Sequence, residues 1–79
     1  MKPRKEYGTK NCIGQQVYRL RIQHHMKQKE LLAQLQVRGI DIGQTSLSDL
    51  EGQRRLATDR EVKALAEIFQ IPMEQLFTP

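Results

Sequence analysis

The sequence predicts an all-α fold, a compact bundle of five short helices, on three observations. Apolar residues recur at helical spacing in several separate blocks, turn chemistry falls between the blocks, and strand-like alternation is nearly absent. A chain of 79 residues leaves room for one small domain. At that size only about 60% of the unfolded surface is buried.

The first block sets Ile13, Val17 and Leu20 on one side of a helix, while Gln15, Gln16, Arg19 and Gln23 point elsewhere, as an amphipathic helix requires. Asn11 has the chemistry to cap its start. The second block, Lys29 to Gln36, is made almost wholly of strong helix formers and repeats its apolar positions at Leu31 and Leu35. It is expected to fade near Arg38 and Gly39. The stretch Gly39-Ile40-Asp41-Ile42-Gly43 joins two glycines, two β-branched residues and an aspartate, so it reads as a turn.

A third helix then carries Leu47 and Leu50 inward. Asp41, Gly43, Thr45 and Ser46 all have the chemistry of an N-cap for it, and Gly52 is placed to stop it. Thr58-Asp59-Arg60-Glu61 is a capping box, the clearest helix start in the chain. Val62, Leu65, Ala66 and Phe69 follow as one apolar stripe beside the exposed set Arg60, Lys63 and Glu67. Pro72 ends that helix or opens the next, a short turn from Met73 to Phe77.

The net charge is +4, and its distribution is uneven. Eight basic residues between Met1 and Lys29 face Glu6 alone, a local excess of +7, whereas the rest of the chain sums to −3. Residues 1–10 read as a basic flexible arm and 11–79 as the folded domain. Such a basic end suggests an anionic partner, most often nucleic acid, less often a membrane surface or an acidic protein.

Several classes are not expected. Cys12 is the single cysteine, so no disulfide forms within the chain and no four-ligand Cys/His zinc site is available. His24 and His25, adjacent on a helix, point about 100° apart and cannot chelate one metal. A Gly-rich phosphate loop, a nucleophile elbow and paired carboxylates are all missing, so neither enzyme activity nor a cofactor is expected. The apolar runs are far shorter than the roughly 20 residues of a membrane span, and Met1 to Tyr7 lacks a signal-peptide pattern. A cytoplasmic protein with no membrane partner is the expectation.

A helix near Lys29, a turn, and a Ser/Thr/Gln-rich helix ending in Glu51-Gly52 form the pattern of a helix-turn-helix. A helix enters the major groove of B-DNA only if its leading side chains are short yet carry donors and acceptors for base edges. Gln44, Thr45, Ser46 and Ser48 meet both conditions. With these in place, Arg21, Gln28-Lys29-Glu30-Leu31-Leu32, Leu35, Leu47-Ser48-Asp49-Leu50-Glu51 and Ala64 to Phe77 resemble the XRE type of phage-repressor and Cro helix-turn-helix domain. The resemblance runs from Ile13 to Phe77.

It implies a five-helix phage-repressor-like domain and a sequence-specific DNA-binding transcriptional regulator that docks its third helix in the major groove. Gln44, Thr45, Ser46, Ser48 and Asp49 become the base-contacting set, with Ser46 and Ser48 nearer the DNA backbone. Gln28, Arg54 and Arg55 become phosphate contacts, and Gln28 also touches the reading helix. Arg21 and Glu51 become a structural ion pair. The implied partner is double-stranded DNA, bound as a homodimer on half-sites about 34 Å apart. The turn between Leu35 and Leu47 is longer than the family's, and Gln36 stands where the family has a glycine. An alternative use of the same fold is an antitoxin-like or adaptor module that holds a protein.

Overall fold

The computed structural model describes residues 8–78, so Met1 to Tyr7 of the expected arm lie outside the described residues. Four α-helices follow in order, α1 (Gly14–Gln23), α2 (Gln28–Val37), α3 (Gln44–Glu51) and α4 (Asp59–Phe69), and then a 3-10 turn, Met73–Leu76. The described residues contain no strand. None of their helices is long and apolar enough to cross a membrane. The expected fifth helix is this 3-10 turn: Gln75 and Phe77 donate to the carbonyls three residues back, Pro72 and Glu74, and the segment ends after four residues.

Each predicted apolar stripe faces the core. Ile13, Val17 and Leu20 of the first block meet Leu31 and Leu35 of α2, Leu47 and Leu50 of α3, and Leu65 and Phe69 of α4. Leu76 fills the remaining gap from the 3-10 turn, whereas its neighbour Phe77 stays 52% exposed. Packing runs α1 on α3, α2 on α3 and on α4, and α4 on the 3-10 turn.

The helix ends explain how the turn between α2 and α3 is built. Gly39, at φ +85°, ends α2 with a paired motif in which its N–H donates to Gln36 and that of Ile40 donates to Leu35. Ile40 is thereby folded back into the core. Of the four candidate caps for α3, Gly43 takes the position, with no side-chain bond. At α4 the Thr58 hydroxyl accepts from the Glu61 N–H at 3.1 Å and the Glu61 carboxylate accepts from the Thr58 N–H at 2.9 Å, as the capping box predicts.

The cap position of α1 is Ile13, with no side-chain bond of its own, and Asn11, two residues earlier, accepts from the N–H groups of Ile13 and Gly14 at 3.0 and 2.9 Å. Just before it, the Gly8 N–H donates to Gly52 and the Lys10 N–H to Gln53, so these two residues of the expected flexible arm lie against the domain. Gly14 sits where α1 meets the end of α3. A Cβ there would fall well inside contact distance of the Leu50 and Glu51 carbonyl oxygens.

Candidate nucleic-acid interface

Burial of Leu47, Leu50 and Glu51 fixes which way α3 faces. With 3.6 residues per turn, Thr45 and Asp49 lie opposite that buried side, flanked by Gln44 and Ser48. Gln44 and Thr45 are exposed, and Ser46, Ser48 and Asp49 are half-buried. The helix starts at a glycine around which a Cβ would meet nothing within 4 Å, so the tip is slim. Ile40 anchors the turn between α2 and α3 inward, and Gln44 and Thr45 at the tip stay exposed.

Two residues from other helices hold α3 at its angle. Arg21 of α1 donates from Nε and Nη2 to the two carboxylate oxygens of Glu51, at 2.7 and 3.1 Å. Its Nη1 donates to the Met26 carbonyl at 3.0 Å, and its Cζ lies 5.3 Å from the centre of the Tyr18 ring. The pair is buried. Gln28 of α2 adds a second tie: its Nε2 donates to Ser48 Oγ at 3.2 Å and to Glu51 Oε1 at 3.1 Å. Its Oε1 accepts from Gln44 Nε2 at 3.2 Å. Both ends of the Gln28 amide are therefore engaged with α3.

The two neighbouring arginines separate in role. Arg54 bends back on α3, donating from Nε to Asp49 Oδ1 at 3.0 Å and from Nη2 to the Ser48 carbonyl at 3.1 Å. Asp49 and Arg54, expected to meet base and phosphate separately, are partners, and the aspartate charge on the outer ridge is neutralised. Arg54 keeps Nη1 unengaged among the described residues.

Arg55, expected at a phosphate, is engaged within the domain. Its Nη1 and Nη2 grip the Glu61 carboxylate at 3.0 and 2.8 Å, its Nε donates to the Ser46 carbonyl at 2.9 Å, and Nη1 also reaches the Leu56 carbonyl. A guanidinium committed on all three nitrogens is a brace between the first turn of α3 and the first turn of α4. Burial alone would raise the Glu61 pKa. Hydrogen bonds from Arg55 and Thr58, with the Arg55 charge, outweigh burial and hold it below its usual value of 4.5.

Two supports were not foreseen. The Asn11 amide also donates to the Leu50 and Arg55 carbonyls, at 3.1 and 2.8 Å, so one residue bonds the start of α1 and satisfies the end of α3. Gln53, held at φ +59°, donates from Nε2 to the Asn11 carbonyl at 2.6 Å. The only sequence signal for either was the cap chemistry of Asn11 and the glycine before Gln53.

No family model, curated protein or solved structure matches the chain. The functional reading therefore stands on the chemistry of α3 and its supports.

Proposed function

We propose that the chain is a sequence-specific DNA-binding regulator of the XRE helix-turn-helix type that docks α3 in the major groove. The observation that carries this is the outward polar ridge of Gln44, Thr45, Ser48 and Asp49, held from behind by the buried Arg21–Glu51 pair and by Gln28. A major groove about 12 Å wide admits an α-helix, and polar side chains on the outward face of that helix reach the donors and acceptors of the base edges.

Gln44 is suited to reading adenine. One Nε2 hydrogen goes to Gln28, which fixes the rotamer and leaves the second N–H and the Oε1 for the N7 acceptor and N6 donor of the base. The Thr45 methyl is suited to a thymine methyl. The Nη1 of Arg54 is placed for a phosphate, and the arm adds charge. Since one such helix spans few base pairs, two copies on half-sites about 34 Å apart give the specificity.

Fluorescence anisotropy with a random-sequence duplex at low salt tests the reading, because the electrostatic term is largest there. Absence of binding rejects it.

A second reading has its own observation. Leu56, Val62, Met73 and Phe77 line an apolar groove of about 400 Å³, and Leu56 is 72% exposed. Such a groove offers its apolar side chains to a protein partner. In that reading the domain is an antitoxin-like or adaptor module, and a protein that ignores duplex DNA but retains a stoichiometric protein partner follows it.

A further inference from the structure

The groove between the end of α2 and the outer face of α4 is cationic in a way that the reading helix does not explain. It encloses about 240 Å³ and is walled by Arg38, Arg60, Lys63 and Glu67 over a floor of Ile40 and Ala64. Arg60, Lys63 and Glu67 fall on one face of α4 because they are spaced three and four apart.

Arg38 is already occupied: it donates to the Gln34 carbonyl and side chain, and its Nε lies 3.4 Å from the Glu67 carboxylate. The single acid of the groove is thus taken at the Arg38 end. Arg60 and Lys63, at the other end, form no ion pair among the described residues. Arg60 Nη2 lies 3.9 Å from the position that a Gly39 Cβ would take, so the guanidinium stands over the enlarged turn.

We infer that this groove binds a phosphodiester of the DNA backbone beside the stretch read by α3; the inference rests on the DNA-binding reading above. The five residues Gly39 to Gly43 join the groove to the tip of α3, a reach of at most about 17 Å. A major groove about 12 Å wide puts one of its bordering phosphate strands within that distance of a helix tip lying inside it. The enlarged turn thereby gains a role. It carries the backbone that Arg60 leans on and sets a second cationic contact beyond Arg54.

The test compares the wild type with Arg60→Gln/Lys63→Gln on a short random-sequence duplex, by anisotropy across a salt series from about 50 to about 200 mM. Both positions are exposed, and thermal melting checks that the double variant folds as the wild type does. Loss of two phosphate contacts flattens the slope of log K against log salt by about 1.8. An unchanged slope with intact wild-type binding overturns the groove and leaves the DNA reading standing, whereas failure of the wild type to bind removes both. Inorganic phosphate, followed by amide shifts at Gly39 and Ile40, supplies the third arm. Phosphate shifts without any slope change assign the groove to a small phosphate ligand and overturn its role on DNA.

Discussion

Arg21 and Glu51 face each other as a two-bonded pair in which the side chains are only 10% and 7% exposed. Glu51 also accepts from Gln28, so one carboxylate at the end of α3 gathers α1 and α2 around that helix. Taking two charges out of water is costly, and the cost is recovered only while every partner is present.

Arg21→Ala leaves Glu51 buried with Gln28 as its remaining side-chain donor. A loss of about 3–5 kcal/mol is expected, a large share of the stability of a domain this small. Urea denaturation followed by circular dichroism measures it. A loss below about 1 kcal/mol is the behaviour of a surface pair and contradicts the assignment.

Gly14→Ala tests the close approach of α1 to α3. Alanine favours a helix by up to about 1 kcal/mol over glycine, but here its Cβ meets backbone carbonyls of Leu50 and Glu51, which cannot rotate away. Net destabilisation of about 1–3 kcal/mol is expected in the same denaturation measurement. A variant as stable as the wild type would show that the two helices part without cost.

Arg54 and Arg55 should divide their effects cleanly. Arg55→Ala strands the buried Glu61 carboxylate and lowers stability by about 1–3 kcal/mol. Arg54→Ala costs at most about 1 kcal/mol, as for a partly exposed ion pair. It nevertheless weakens duplex binding at all sequences, reduces the salt slope by about 0.9, and uncovers the Asp49 charge. Paired melting and anisotropy curves decide it, and a reversed pattern means the brace and the phosphate contact have been exchanged.

Glu61 predicts a pH dependence with a definite sign. Its folded pKa is lowered from 4.5, so the stabilisation is fully present above that value and is lost as pH falls through the lower folded value. The melting temperature of the wild type should drop as pH falls below about 4.5, and Glu61→Gln should drop less over that window while starting lower at neutral pH. Parallel curves for the two proteins would mean that other carboxylates carry the acid sensitivity.

The contrast between these residues marks what was legible in the chain. Periodicity located every core stripe, since Val17, Leu31, Leu47 and Leu65 are buried by their helical phase alone. The Thr58 capping box gave the start of α4, and the resemblance paired Arg21 with Glu51 across 30 residues. Arg54 and Arg55, by contrast, are identical residues side by side, and the turn between them and α3 sets their directions. Gln53 at positive φ reverses the chain, keeping Arg54 over Asp49 and sending Arg55 to Glu61. No spacing rule covers an irregular segment. The second bond of Asn11 was hidden for the same reason, because its acceptors are carbonyls 39 and 44 residues away.

Amide shift mapping of the isotope-labelled protein with duplex DNA tests the central claim most directly. The account predicts that the largest changes fall on Gln28 and on Gln44 to Asp49, with Leu56, Met73 and Phe77 undisturbed. Changes centred on those three apolar residues, or none at all at low salt, would contradict it.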